Sequence, residues 1–285
     1  MSNWFLFENS KFKKFDFRYM NKLRVAILDL NNNETNRGIG YIKQSIESYG
    51  DKFEWTLFDV RDKLEIADLN FDVYISSGGP GSPFDYTGGW NEKYFSLLND
   101  IVNFNVTATP KTKKHVFFIC HSFQIACQFF KIGTITQRVS KSFGTFPCYR
   151  TLEGSKDDLL KNLNNPFWIA DFRDFQVLNT EPEIFKQKGF KLLAREMPQT
   201  DKSERAIMAI RFSDTMVGTQ FHPEADAAGM LSYFKLPDRK ETIIKNFGLR
   251  RYNVMVRDLA DKTKIESTFN TILPYFFENA LKIKS

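Results

Sequence analysis

His115-Val116-Phe117-Phe118-Ile119-Cys120-His121-Ser122-Phe123-Gln124-Ile125-Ala126-Cys127 is the segment around which the remainder of this 285-residue chain organises itself. The residues before Cys120 form an apolar run of buried-strand character, and from Phe123 the apolar positions take helical spacing. Cys120 falls at the junction. A nucleophile on a tight strand-to-helix turn stands clear at the carboxyl end of a sheet, and the N-terminus of the following helix favours an anionic side chain there. A cysteine on an apolar strand is more often a small hydrophobe than a reactive group. It is therefore the position, not the residue type, that makes Cys120 a candidate nucleophile.

The sequence on either side supplies a sheet for this turn. Upstream, apolar runs at 23–30, 53–58 and 71–77 read as strands. Helical spacing covers 38–49, ending at Gly50 as a C-cap, and a second helix covers 90–103. Alternating strands and helices predict an α/β fold, a mostly parallel central sheet with helices on both faces. Residues 142–212 are richer in strands, and 143–149, 175–178, 191–194 and 206–212 suggest a meander. A further strand at 216–221 returns to the central sheet. Beyond Asp226 the character turns helical, at 230–234, 240–247, 252–259 and 264–281. The expected organisation is an N-terminal extension (1–21), an α/β domain (22–228) and a C-terminal helical extension packed on the same domain (229–285). Residues 1–19 carry aromatics interrupted by Glu8 and Asp16, unlike a secretory signal, and Met20 offers an alternative start for the working fold.

A second segment, Val217-Gly218-Thr219-Gln220-Phe221-His222-Pro223-Glu224-Ala225-Asp226, ends a strand on a histidine with a carboxylate two residues on. Cys120, His222 and Glu224 supply a thiol, a base to activate it and a group to orient the base. Asp226 is the alternative orienting carboxylate. The chain has three histidines. His115 begins a strand and suits a structural role, while His121 offers its backbone N–H. In a third segment, Gly78-Gly79-Pro80-Gly81-Ser82 closes a strand. Its bland reading is a surface turn, but glycines also let a loop aim N–H groups at an oxyanion. Gly78 and Gly79, with the His121 N–H, form the expected oxyanion hole.

These three segments resemble the class I glutamine amidotransferase family, over roughly 23–226, and the whole chain looks most like stand-alone, GMP synthase-like members. The resemblance implies a flavodoxin-like fold and a Cys-His-Glu triad, matched by Cys120, His222 and Glu224. It also implies a Gly-Gly-Pro oxyanion loop, matched by Gly78, Gly79 and Pro80, and a substrate-contacting glutamine, matched by Gln124. The family's two elbow glycines are Phe118 and Ser122 here. The family's Ser-His pair that holds the glutamine backbone is missing from the stretch 169–175. There Arg173 could take a carboxylate and Asp171 or Asp174 an amine, although each is also an ordinary surface charge. No ATP-binding domain or Walker loop follows Asp226, so ammonia would be released or passed to a separate synthetase partner. No cofactor is expected.

Composition narrows the class. The chain is 42% hydrophobic and 26% charged, with net charge +6 and a pI near 9.0. Its lysines are scattered rather than interleaved with aromatics in a nucleic-acid groove. No apolar run reaches the length that spans a bilayer. Three cysteines without framework spacing suit a reducing cytoplasm, and no zinc pattern is present. Three readings remain: a glutamine amidotransferase or amidase acting through a γ-glutamyl thioester, a γ-glutamyl peptide hydrolase or acyltransferase with the same triad, and a non-catalytic binding or regulatory protein.

Overall fold

The structure is a computed structural model that describes residues 22–34, 37–178, 181–198 and 204–284. The aromatic leader and the alternative start at Met20 lie outside the described residues. Within them the chain runs β1 (Leu23–Asp29), α1 (Arg37–Glu47), β2 (Phe53–Asp59), β3 (Val73–Ser76), α2 (Trp90–Thr107), β4 (His115–Ile119) and α3 (His121–Phe129). It continues through β5 (Thr134–Arg150), α4 (Leu152–Lys156), β6 (Phe167–Leu178), α5 (Pro182–Lys188), β7 (Lys191–Glu196), β8 (Ile207–Arg211) and β9 (Met216–Thr219). It ends with α6 (Ala227–Phe234), α7 (Pro237–Phe247), α8 (Leu249–Ala260), α9 (Ile265–Phe269) and α10 (Ile272–Lys284).

The strands form a single sheet in the order β2-β1-β3-β4-β9-β8-β7-β5-β6. The first five in that order are parallel, and from β9 through β6 the pairing is antiparallel. The parallel strands read as continuous apolar runs because both of their faces are covered. Val25 and Ile27 of β1 face a core shared with Ile42 and Ile46 of α1 and with Phe276 and Phe277 of α10. Ala26 and Leu28 face the other side, with Tyr94, Leu98 and Ile101 of α2 and Ala126 of α3. The chain leaves β1 toward β2 on one side and β3 on the other, and at such a switch point the carboxyl ends of the strands open a crevice. The turns after β1, β3, β4 and β9 meet there.

The antiparallel half differs from expectation in length. β5 and β6 form a long hairpin, with a register shift between Gln137 and Ser142. The stretch 167–174, which lacks a plain apolar alternation, belongs to β6. The predicted C-terminal helix at 264–281 is two helices, α9 and α10, separated at 270–271. The short α4 and α5 were not expected from the sequence. The described residues contain no helix long and apolar enough to cross a membrane.

Candidate active site

Cys120 lies between β4 and α3 with φ +51° and ψ −99°. Positive φ is costly for a residue with a side chain, by about 1–3 kcal/mol, and persists only where neighbours hold it. Here the hold is explicit. The Cys120 N–H donates to the Thr219 carbonyl at 2.8 Å, and the Gln124 N–H donates to the Cys120 carbonyl at 3.1 Å. Ser122 Oγ accepts from the Ile119 N–H at 2.8 Å and donates to the Ser76 carbonyl at 2.7 Å. The serine in the family's glycine position thus ties the turn to β3. Phe118, in the other glycine position, is fully buried and meets Phe212 edge-on. Its room is made on the neighbouring strand, where Gly218 is its register partner. A Cβ at Gly218 would come within 3.0 Å of Phe118 Cβ and 2.8 Å of the Phe123 ring.

His222 follows β9, its N–H bonded to the Ala170 carbonyl of β6 at 3.0 Å. Its Nδ1 lies 2.7 Å from Glu224 Oε1, and Glu224 is buried. Burial works against a charge on the ring, but Glu224 and Cys120 outweigh it and hold the His222 pKa well above the usual histidine value. Asp226 does not join this group. It caps α6, accepting from the Gly229 N–H at 2.7 Å and the Ala228 N–H at 3.3 Å.

The Gly-Gly-Pro turn lies against both side chains. A Cβ at Gly78 would stand 2.9 Å from His222 Cε1 and 3.5 Å from Cys120 Cβ, and one at Gly79 would lie 2.2 Å from the Leu30 carbonyl oxygen. Glycine is required at both positions by close approach rather than by unusual φ. Arg61 braces the turn, donating through Nη1 to the carbonyls of Pro80 at 2.8 Å and Leu30 at 3.2 Å. The His121 N–H opens α3, where backbone N–H groups lack intrahelical acceptors. The His121 ring is buried beside Arg61, which together bring its pKa down to about 3 and keep it neutral.

Gln124 and Arg173 line the same cavity as Cys120, and Asp171 does not. The Gln124 amide donates to the Phe175 carbonyl at 3.2 Å and to Gln220 Oε1 at 3.1 Å, and Gln220 in turn approaches Cys120 Sγ at 3.8 Å. Asp171 is buried against Ser142, at 2.7 Å, and Arg173, at 2.9 Å, and it lines a separate, smaller cavity of about 200 Å³. Residues two apart on a strand share a face, so Asp171 and Arg173 pair with each other. Arg173 also meets Glu196 at 3.2 Å. Gln220 and Arg61 were missed from sequence, because only long-range pairing brings them to the turn. The main cavity holds about 630 Å³ and is roofed by α6 and α7. No group of three or more potential metal ligands occurs among the described residues.

None of the curated proteins matches the chain in sequence. A glutamine amidotransferase from Thermotoga maritima superposes with a TM-score of 0.64 at 10% identity, over 91% of this chain and 98% of that one. A glutamine amido transferase from Methylobacillus flagellatus superposes with a TM-score of 0.62 at 14% identity, over 93% and 94%. The CTPS glutaminase domain of Trypanosoma brucei, with bound acivicin, gives 0.51 at 13% identity, over 71% and 86%. At such identities the likeness establishes the fold. The family model for glutamine amidotransferase class-I matches residues 39–231. That span is more than half of the chain and includes the three segments that meet at the cavity, and the chain therefore belongs to the class I glutamine amidotransferase family.

Proposed function

We propose that this chain is a cysteine-dependent amidotransferase or amidase that hydrolyses the side-chain amide of glutamine through a γ-glutamyl thioester on Cys120. The observation that carries the reading is the contact of three groups at one end of the cavity. These are a cysteine on a strained turn, a histidine whose outer nitrogen is bound by a buried glutamate, and a glycine turn pressed against both. His222 takes the thiol proton, and the resulting imidazolium is stabilised by Glu224. Sulfur attacks the amide carbon, and the carbonyl electron pair moves to oxygen, where the N–H groups of Gly79 and His121 receive it. When the tetrahedral intermediate collapses, the C–N bond breaks and nitrogen leaves with a proton from His222. Water, deprotonated by His222, then attacks the thioester and releases glutamate.

Gln124 orients this end through Gln220. Arg173, already engaged by Asp171 and Glu196, contributes positive charge beside Cys120 rather than a free fork for substrate. The ammonia is released or passed to a separate synthetase partner, and the work takes place in the cytoplasm. The replaced elbow glycines do not favour a non-catalytic role, since Ser122 and the Phe118–Gly218 pair accommodate the turn. Ammonia release from glutamine tests the proposal. The wild-type chain should release ammonia and Cys120→Ala should not. Equal release by both would exclude Cys120 as the nucleophile.

A further inference from the structure

Gln220 is fully buried beside the nucleophile. Strands β4 and β9 pair in parallel register through Ile119 and Thr219, and the next residues on the two chains are Cys120 and Gln220. The backbone is fixed on both sides at this point. The Cys120 N–H donates to the Thr219 carbonyl at 2.8 Å, and the Gln220 N–H donates to the Met208 carbonyl of β8 at 2.8 Å. A glutamine side chain carries two N–H donors and one acceptor oxygen, and the hydrogen bonds around it decide which end meets a neighbour.

A single backbone carbonyl sets the direction of a relay of two amides. The Phe175 carbonyl can only accept, so Gln124 turns its Nε2 toward it, at 3.2 Å. The same nitrogen donates to Gln220 Oε1 at 3.1 Å. With its oxygen engaged there, Gln220 presents its Nε2 to Cys120 Sγ at 3.8 Å. The sulfur also faces the Phe172 carbonyl at 3.9 Å, where the S–H donates. These two contacts respond oppositely when the thiol proton leaves. The Phe172 carbonyl loses its donor, whereas the Gln220 N–H then donates to an anion, a bond roughly twice as strong as a neutral one. The ionisable groups acting on the sulfur are His222, backed by Glu224, after β9 and Arg173 on β6, while the neighbouring His121 ring is kept neutral by burial and Arg61. His222 takes the proton, Arg173 supplies charge, and Gln220 supplies an uncharged donor to the sulfur itself.

We propose that Gln220 is a further catalytic residue of this site, its side-chain N–H donating to the Cys120 thiolate that attacks the amide, with Gln124 as the positioning residue that fixes its polarity. This rests on the thioester reading of the site. The bond changes of that reading are unaltered: the thiol proton passes to His222, sulfur–carbon forms and carbon–nitrogen breaks. Gln220 gives up no proton and holds the sulfur as an anion until the attack.

Alkylation of Cys120 by iodoacetamide, followed by peptide mapping across a range of pH, reads the thiolate without turnover. Gln220→Met keeps the shape of the side chain and removes the donor. Its alkylation profile should move up by about one to two pH units, the scale of a hydrogen bond to a charged group. Its kcat for ammonia release from glutamine should fall about tenfold or more with KM unchanged, because the lost bond is to sulfur and not to substrate. Gln124→Met leaves the Gln220 amide in place but free to turn, and its alkylation profile should move by less. A Gln220→Met profile that coincides with the wild type, or a Gln124→Met profile that moves as far as that of Gln220→Met, would overturn the proposal. The unaltered fold supplies a second measurement, should Gln220→Met fail to melt cooperatively. In wild-type protein with nitrogen-labelled glutamine, a buried side-chain N–H resonance should shift as Cys120 ionises and stay in place in Cys120→Ala. Absence of any such shift would equally exclude the bond. Acid-quenched protein mixed with glutamine separates this outcome from failure of the thioester. A thioester that forms at the wild-type rate in Gln220→Met removes only the role of Gln220. A displaced alkylation profile with no thioester in the wild type removes only the acylation chemistry.

Discussion

Three free cysteines, all buried, sit in different surroundings. Burial alone pushes the Cys127 thiol well above its ordinary pKa, and at Cys148 burial and the neighbouring Asp171 do the same. Cys120 lines the cavity, so iodoacetamide at neutral pH should label Cys120 first. Peptide mapping that finds Cys127 or Cys148 labelled ahead of it would count against the site. His222→Ala should lower turnover by about 10²–10⁴-fold, the range of a lost general acid–base, and Glu224→Ala by less, since the carboxylate acts through the ring. Asp226→Ala should leave turnover intact and cost about 1 kcal/mol of stability as a lost helix cap. Because Glu224 and Cys120 outweigh burial and raise the folded-state pKa of His222 well above 6.5, its protonated form persists above the pH at which a free histidine loses its proton. The stability this contributes is fully present below pH 6.5 and is lost as pH rises through the folded value. The alkaline limb of kcat/KM should therefore lie well above that of a free histidine, and Glu224→Gln should move it down. An unmoved limb would assign it to another group.

At the scale of elements, the nucleophile turn is held by side chains borrowed from its neighbours. Ser122→Ala leaves the Ile119 N–H without its acceptor and frees the turn from β3, which should cost about 1–3 kcal/mol. Gly218→Ala should cost about 1–3 kcal/mol by overpacking against Phe118 and Phe123. Urea unfolding of both variants checks these values. The turn itself was legible in sequence because a strand, a cysteine and a helix follow one another within thirteen residues. The His-Pro-Glu and Gly-Gly-Pro segments are equally local. What supports them is not. Ser122 is bonded to Ser76, Phe118 is relieved by Gly218, and Gln124 reaches Cys120 through Gln220. Each pairing depends on which strands become neighbours in the sheet. Asp171 and Arg173 fell in a stretch read without a strand. Once β6 includes them, their spacing puts both on one buried face, where they pair with each other.

On the scale of the whole molecule, the C-terminal helices do two jobs. Helices α6 to α9 cover the β5–β6 hairpin, with Phe143 stacked on Phe247 at 4.1 Å and Thr145 bonded to Asp258 at 2.9 Å, and α6 and α7 also roof the cavity. Helix α10 instead returns beneath the parallel strands. Ile272, Leu273, Phe276 and Phe277 enter the same core as β1 and β3, and Lys284 pairs with Asp72 at 2.9 Å. The helical character beyond Asp226 was read as an extension packed on the domain; that its last helix completes the cover of the sheet depends on tertiary contacts. Phe277→Ala should cost about 3–5 kcal/mol, a large share of a typical domain's stability. Truncation after Asp226 should give a chain that fails to fold, seen as loss of the cooperative melt. A soluble, cooperatively melting truncation would make the tail an accessory.

The proposed chemistry requires Cys120 to become covalently acylated by an amide substrate. Mass spectrometry of the peptide carrying Cys120, from protein mixed with glutamine and quenched in acid, measures this directly. A γ-glutamyl group on Cys120, absent from Cys127 and Cys148 and lost in His222→Ala, is the expected result. Ammonia release without any adduct on Cys120, or an adduct that forms equally well in His222→Ala, would exclude a thioester on Cys120 formed with His222 as its base.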